Sequence, residues 1–373
     1  MFEYLKPLHP DAISNHNTYA EGQYGKSIDI HTPEHEPNWQ AAHIVILSVT
    51  DMRGNGQLNT INHTLAIRQQ LYNLYNWHST LAIADLGNIH NGQTLADTYA
   101  ATEAVLTTLL KAHKIIIILG NSHDVALAQY NAYKKLQQSI EYTNIDAVID
   151  MSLSTAHNSE RFLVALLTQE PNYVHHYNHL GFQSYLAHPN ILETLNHIRF
   201  DCVRLGTLRQ QLAEHEPTLR NSNMVTIDVN SIQPAYMPCN TLSPNGLAGD
   251  EACQLAQYAG SSTSLSTFGI YNYNSTTDVN SIGAKQIAQM IWYFVHGCST
   301  LLNEDNITNT AQYYEYNILF GDVPINFYQN KHTHRWWMQL APQQYLACTK
   351  SDYEQASNNQ IPERWLRAKE RLA

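Results

Sequence analysis

The stretch VTIDVNSIQPAYMP, residues 225–238, begins as an apolar run and ends in a segment punctuated by two prolines. Asp228 and Asn230 stand two residues apart where the apolar run ends, and residues two apart on a strand point to the same side. Two aspartates at this spacing would be typical of a metal site, but the second position carries an amide. The stretch therefore predicts a buried strand that ends at a polar site.

Short apolar runs recur along the chain. They are rich in Ile, Val and Leu with little alternation, which is typical of parallel strands covered on both faces. The runs are HIVILSV (43–49), TLAIADLGN (80–88), KIIIILGNS (114–122), NIDAVIDMS (144–152), FDCVRLGT (200–207), MVTIDVN (224–230) and LSTFGIYNYN (265–274). Amphipathic stretches of helix length lie between them, for example at 60–76, 95–112, 124–139 and 281–297. Strands that alternate with helices predict an α/β fold with a mainly parallel sheet.

Three segments of different composition divide the 373 residues. Residues 1–40, rich in His, Pro and Asn, predict an irregular arm, and residues 41–305 predict the α/β domain. Residues 306–373 break the strand–helix rhythm and are dense in aromatic side chains, so they predict an extension packed on the domain. A docking surface is the alternative, because aromatic residues are enriched at interfaces. The end of this segment, 354–373, predicts a helix that starts at a proline and carries basic residues in its last turns.

The charge balance restricts the classes of partner. The chain has 21 Lys and Arg against 32 Asp and Glu, a formal net charge of −11. This argues against binding to nucleic acid or to an anionic membrane, because both require a basic surface. The first residues lack the apolar core of a signal peptide, and no run of about 18 apolar residues predicts a membrane span. Five scattered cysteines without a CxxC pair predict reduced thiols and a cytoplasmic protein.

Polar residues follow four of the apolar runs, at the strand ends where ligands bind in open parallel sheets. These residues are Asn121, Ser122 and His123; Asp150, Ser152 and Ser154; Asp228 and Asn230; and Asn272. If they converge, they form a hard-ligand site of the kind that manganese or magnesium accepts. The alternative is a polar network without metal, in which Asp and Asn cap the following helices. The chain has no Gly-rich phosphate loop and no G-x-S-x-G element.

The ordered segments over residues 43–300 resemble the ureohydrolase superfamily of arginase, agmatinase and, nearest in pattern, formimidoylglutamase. GNSHD at 120–124 is similar to the family's GGDH motif and keeps its histidine as His123. The opening stretch is similar to D-V-D-x-x-D-P-x-x-x-P, with Asn230 and Gln233 in place of two acids. SPNGL follows at 243–247 where the family has S-P-x-x-G-L. IYNYN at 270–274 is similar to I-x-E-x-N, with Asn272 in place of the glutamate that meets the guanidinium of arginase's substrate.

The family's D-A-H-x-D motif aligns in two ways. The preferred alignment is DMSLS at 150–154, which keeps the first acid as Asp150 and has Ser152 and Ser154 at the positions of the histidine and the second acid. The rival alignment is DAVID at 146–150, which keeps both acids and has Val148 in place of the histidine. The first is preferred because it places the acid at the end of the predicted strand instead of inside it.

The resemblance implies a three-layer α/β/α fold in which two Mn²⁺ ions activate a bridging hydroxide that attacks an amidine or guanidine carbon. The family holds its ions with four carboxylates and two imidazoles, whereas the preferred alignment keeps His123, Asp150 and Asp228. Cations that their ligands do not neutralise are costly to bury. We therefore expect no cofactor, or at most one divalent cation such as Mn²⁺.

The lost ligands predict a non-catalytic member of the fold, a pseudoenzyme that binds a small polar ligand or a protein partner. The alternative is a hydrolase of linear C–N bonds, amidine or formimino, that works with a single metal ion. Four histidines, at 175, 176, 179 and 188, lie in a segment that corresponds in position to the substrate loop of the family. We interpret them as loop or surface residues, with an added ligand or a general acid as the alternative. Self-association is an expectation by analogy with the family.

Overall fold

The computed structural model describes residues 1–9, 13, 19–58, 61–301, 307, 310–320 and 323–372. A ten-stranded sheet forms its centre, in the order β1-β4-β3-β5-β10-β9-β6-β7-β8, with β2 beside β4. The strands are β1 (Leu5–Lys6), β2 (Asp29–Ile30), β3 (Ile44–Val49), β4 (Ile83–Ile89), β5 (Ile115–Gly120), β6 (Ile140–Ile145), β7 (Val174–Phe182), β8 (Asp201–Arg204), β9 (Met224–Asp228) and β10 (Thr267–Tyr271). All described pairings in this sheet are parallel except that of β1 with β4.

Helices cover both faces of the sheet. They are α1 (Tyr24–Ser27), α2 (Thr64–Leu71), α3 (Leu95–Lys111), α4 (Val125–Lys135), α5 (Phe162–Leu167), α6 (Pro189–His197), α7 (Leu205–Gln210), α8 (Glu216–Asn221), α9 (Gly249–Gly260) and α10 (Ile282–Leu301). The side chains of β3 alternate between two cores: Ile44 and Ile46 pack with α2, α9 and α10, and Val45 and Leu47 pack with α3 and α4. Burial on both sides explains the continuous apolar runs and confirms the three-layer α/β/α fold.

The described part of the chain contains no helix with both the length and the apolar character needed to cross a bilayer.

The register of the sheet brings the carboxyl ends of four neighbouring strands level. Tyr271 of β10 pairs with Gly120 of β5 on one side and with Asp228 of β9 on the other. Ile145, the last residue of β6, pairs with Ile227 of β9. The residues that follow β5, β10 and β6 therefore emerge beside Asp228, at one edge of the sheet.

The fourth predicted strand was wrong in its position. β6 ends at Ile145, and residues 146–152 form a loop in which Ala147 and Ile149 are nevertheless buried. β6 and its neighbour β7 fill their side of the sheet with buried tyrosines, Tyr142 and Tyr177, instead of aliphatic side chains. Their mixed sequences hide both strands, and the more apolar loop has the composition of a buried strand.

Residues 313–320 and 323–348 contain a second sheet of four antiparallel strands, in the order β11-β12-β13-β14. Its elements are β11 (Tyr313–Phe320), β12 (Val323–Asn330), β13 (Trp336–Ala341) and β14 (Gln344–Cys348), followed by α11 (Lys350–Ser357) and α12 (Glu363–Leu372). Buried Arg220 of α8 donates hydrogen bonds to the carbonyl oxygens of Trp336 and Cys348, and its guanidinium lies 4.4 Å from the centre of the Trp337 ring. The aromatic segment thus has a core of its own and contacts α8. The division of the chain at residues 40 and 305 stays a prediction.

Glu141 of β6 faces a cavity of about 660 Å³ that α12 also lines. Burial raises the pKa of Glu141 to about 7, and the nearby Arg371 opposes this rise. A carboxyl whose pKa is higher in the folded than in the unfolded state contributes most stability below the unfolded pKa, and this contribution is lost as the pH rises through about 7.

We expect Glu141→Gln to be more stable than the wild type at pH 8.5 by up to about 3 kcal/mol, because one pKa unit corresponds to about 1.4 kcal/mol. The difference should shrink toward pH 4.5. Thermal unfolding of both proteins across this range measures it. Glu103→Gln, which removes an exposed ion pair with Lys135, is the control and should show little change at any pH. A variant that is less stable than the wild type at pH 8.5 would contradict the assignment.

Candidate metal centre

His123 lies at the carboxyl edge of the sheet, three residues beyond the end of β5 and just before α4. Its side chain is fully buried and stacks on the ring of Tyr271, with ring centres 5.3 Å apart. Three carboxylate oxygens surround its Nδ1: Asp146 Oδ2 at 3.2 Å, Asp228 Oδ2 at 3.2 Å and Asp150 Oδ2 at 3.3 Å. The structure therefore brings together the three predicted ligands His123, Asp150 and Asp228, and adds Asp146.

The backbone holds two of these carboxylates by the same device. Asp228 ends β9, and its Oδ1 accepts a hydrogen bond from the amide of Asn230 at 2.8 Å. Asp146 follows β6, and its Oδ1 accepts from the amide of Val148 at 3.1 Å. Each aspartate thus uses one oxygen to close a turn after its strand, and the other oxygen faces His123.

The charges of this cluster are unbalanced. Burial raises the pKa of Asp146, and the neighbouring Asp228 and Asp150 raise it further. Burial likewise raises the pKa of Asp150. Burial lowers the pKa of His123, but its three acidic neighbours outweigh this and hold it well above the usual value. One imidazolium cannot neutralise three carboxylates, and a divalent cation at this place would reverse the local preference for protonation.

The donor atoms fit a hard divalent cation. Among the described residues, one group with metal-binding potential has all its ligand atoms within 4.8 Å of one another: His123, Asp146 and Asp228. Both ring nitrogens of His123 and Oδ2 of Asp146 are buried without an aligned hydrogen-bond partner. Two ligands about 2.1 Å from an octahedral cation lie about 3 Å apart when they are at right angles, close to the separations around His123. One nitrogen with several carboxylate oxygens suits manganese or magnesium.

The cluster opens into a cavity of about 820 Å³. Most of the residues predicted for the site line it: Asn121, Asp150, Ser152, Ser154, Asp228, Asn230 and Asn272. Two predicted residues have other contacts. The hydroxyl of Ser122 donates to the carboxylate of Asp124, and Nε2 of Gln233 donates to the carbonyl oxygen of Gly246 at 3.0 Å, which holds the loop after β9.

Asp146 is the site residue that the preferred alignment left out. Because β6 ends at Ile145, Asp146 stands at the end of the strand and Asp150 lies in the loop. An acid at the end of the strand therefore favours DAVID at 146–150 over DMSLS at 150–154. This rival alignment brings both acids to His123 and leaves Val148 as the substituted position. Two acids four residues apart, one on each side of the apolar residues 147–149, were the available signal.

Several residues that line the cavity carried no signal in the sequence, because they come from loops far apart in the chain. They include Asn55, Gln57, Glu160 and Thr241.

The histidines of residues 175–188 belong mostly to β7 and not to a loop. Nε2 of His179 lies 3.0 Å from the carbonyl oxygen of Asp146, and its Nδ1 lies 2.8 Å from the hydroxyl of Tyr177. Burial lowers the pKa of His179 to about 4, so a neutral ring supports the backbone of Asp146. His188 lines the cavity, whereas His176 contacts Asp201 at 2.9 Å.

Residues 43–297 match the sequence profile of the Arginase family. The chain belongs to this family. A formimidoylglutamase of Staphylococcus aureus is 26% identical over 244 residues, which cover 62% of this chain and 77% of that protein.

Solved structures of the arginase family share the fold of this chain. A Mn²⁺-bound formiminoglutamase of Trypanosoma cruzi superimposes with a TM-score of 0.63 at 20% identity, over 69% of this chain and 94% of that one. The agmatine ureohydrolase of Thermoplasma volcanium gives a TM-score of 0.61 at 17% identity, over 78% and 98% of the two chains. Together with the sequence match, they confirm the resemblance to the ureohydrolases and to their formimidoylglutamase branch.

We expect Asp146→Asn to have opposite effects with and without metal. Without metal, the variant should unfold at a higher temperature than the wild type, because it removes one of three repelling carboxylates. With Mn²⁺, it should lose at least about 100-fold in affinity, a loss beyond the effect of changing residues that only support a ligand. Thermal unfolding and calorimetric titration with Mn²⁺ measure the two effects.

Ser152→Ala is the matched control for this test, since Ser152 takes the histidine position in the rejected alignment. It should bind Mn²⁺ like the wild type. A loss of affinity in Ser152→Ala together with unchanged binding in Asp146→Asn would restore the DMSLS alignment.

Proposed function

We propose that this protein is a hydrolase of linear C–N bonds that works with one divalent cation, held by His123, Asp146, Asp150 and Asp228. One observation carries the proposal: three carboxylate oxygens lie 3.2–3.3 Å from Nδ1 of one buried histidine, on the wall of a cavity of about 820 Å³. Membership of the arginase family supports the reaction class, and the manganese in the T. cruzi relative supports the choice of metal.

The substitutions favour one ion over two. Val148 has no ligand atom, and Asn230 brings no charge, at positions where the family pattern has a histidine and an aspartate. A second dication would depend on carboxylates that the first already shares, and charge that is not neutralised is costly to bury. The three carboxylates that remain are sufficient to balance a single dication.

The chain's own residues would position that ion and the substrate. A bound divalent cation lowers the pKa of water and polarises the bond to be cleaved. Asp146 and Asp228 have fixed orientations, because each binds a backbone amide through its second oxygen. His179 supports the backbone of Asp146 from behind. The amide of Asn272 donates to Asp228 Oδ2 at 2.5 Å and so contributes to holding this ligand, not to neutralising a cationic substrate.

A non-catalytic binding protein is the second candidate, and the same hydrogen bond favours it. Asn272 occupies the position at which the family pattern has a substrate-binding glutamate, and its amide is engaged with Asp228. In this case the cavity would hold a small polar ligand without turnover.

A protein partner or a second copy of the chain could dock on the C-terminal sheet, where Tyr314 and Leu319 are 52% and 67% exposed.

Metal analysis and an activity assay separate the two candidates. The full chain is purified with Mn²⁺, its metal content is measured, and release of formamide or urea is assayed with formimidoylglutamate, agmatine, arginine and uncharged formimino compounds. The hydrolase requires one Mn²⁺ per chain and turnover that Asp150→Ala abolishes. Stoichiometric metal without turnover of any compound would support the binding protein. No bound metal at millimolar Mn²⁺ would refute the metal site itself.

We expect the double variant Val148→His/Asn230→Asp to bind two Mn²⁺ ions per chain where the wild type binds one, because it adds an imidazole and a carboxylate beside Asp146 and Asp228. Elemental analysis gives the number, and electron paramagnetic resonance detects the coupling of two adjacent Mn²⁺ ions. Val148→Asn/Asn230→Leu, which changes the same positions without adding charge, should stay at one. Two ions in the wild-type protein would contradict the account.

A further inference from the structure

The cavity beside the metal cluster is acidic. Four carboxylates line it, those of Asp146, Asp150, Asp228 and Glu160, and its lining in the described residues includes no lysine or arginine. The residues outside the described ranges contain no lysine or arginine either. All lysines and arginines of the chain therefore belong to the described residues, and none of them lines this cavity.

Arg53 is close in sequence to residues that line the cavity, but it does not line the cavity itself. Its guanidinium binds the carboxylate of Asp51 and donates to the carbonyl oxygens of Gly92 and Gln93. These contacts occupy the planar donor face with which an arginine recognises a carboxylate. The cavity thus lacks the partner that an acidic ligand would require.

Two residues that line the cavity carry buried hydrogen-bond acceptors without a donor among the described residues. Nδ2 of Asn121 donates to the carbonyl oxygens of Thr50 and Ile61, at 3.1 and 2.7 Å. Because both partners are carbonyls, the orientation of this amide is fixed, and its Oδ1 is buried without a partner. The residue Asn55 also lines the cavity, and its Oδ1 is likewise buried without a partner. Unpaired buried acceptors favour a ligand that brings N–H donors.

We infer that this cavity selects linear amidine or formimino compounds with an uncharged amide-like tail or a cationic amine tail, and that it rejects compounds with a carboxylate tail. The inference rests on the proposed function for the reactive group but concerns the other end of the ligand. A carboxylate entering the cavity would meet four like charges and at most one dication, and such juxtaposition is a strong means of excluding a ligand. Formimidoylglutamate, with two carboxylates, is then not the substrate, although several relatives are formimidoylglutamases.

Binding measurements on the full chain test the inference without turnover. Calorimetric titration of the Mn²⁺-treated protein compares N-formimidoyl-L-glutamate, its uncharged diamide and agmatine. We expect the diamide and agmatine to bind at least ten-fold more tightly than formimidoylglutamate. Equal or tighter binding of formimidoylglutamate would overturn the inference, and so would the absence of binding by all three at millimolar concentration. Binding of the diamide without its hydrolysis would uphold the inference and refute the hydrolase.

Substitutions at two exposed positions of the cavity lining, Gln57 and Glu160, test the role of charge. Glu160→Gln should lower the affinity for agmatine several-fold and leave the affinity for the diamide unchanged. The reason is that it removes a carboxylate that lines the cavity without changing a ligand of the metal cluster. Gln57→Arg should reduce the preference for the diamide over formimidoylglutamate at least ten-fold, and Gln57→Met, similar in size but uncharged, should not. Equal effects of Gln57→Arg and Gln57→Met, or an unchanged affinity of Glu160→Gln for agmatine, would show that charge does not govern selection.

Discussion

The convergence of three carboxylates on one buried imidazole is the constraint on which the rest of this structure depends. The parallel register of β5, β10, β9 and β6 sets the carboxyl ends of these strands side by side. Asp228 and the residues that follow β5 and β6 consequently share one small volume. Backbone amides of Asn230 and Val148 hold two of the acids in place, so the side chains cannot turn away from each other. Only a cation relieves such a cluster at neutral pH without protonating it.

The general fold could be predicted from the sequence, because strands buried on both faces must be apolar throughout. Ile44 to Val49 and Ile115 to Gly120 are of this kind, and both lie at the centre of the sheet. The position of β6 could not be predicted in this way. Its buried residues include a tyrosine that packs edge to face against the tyrosine of β7, and such pairing depends on a neighbour that local periodicity does not reveal. The C-terminal sheet was hidden for the same reason, since its aromatic residues read equally as core or as interface.

The site was predictable as far as the motifs reached. His123 and Asp228 follow from segments whose glycine and prolines fix the alignment. The assignment of Asp146 depends on where β6 ends. A shift of the alignment by four residues makes Asp150 the first acid of the motif in place of Asp146. The difference is physical as well as formal, because three carboxylates and one imidazole offer a dication one more charged ligand than two carboxylates and one imidazole do. The substitutions at Val148 and Asn230 then have a common direction, which is the removal of the ligands and charge that a second ion would use.

The central claim is that the cluster around His123 holds a single divalent cation. Anomalous diffraction at the manganese absorption edge, from crystals of the full chain grown with Mn²⁺, tests it directly. The account predicts one anomalous peak per chain, in contact with His123, Asp146, Asp150 and Asp228. Two peaks at this place would contradict it, and so would the absence of a peak in crystals grown with a saturating concentration of Mn²⁺.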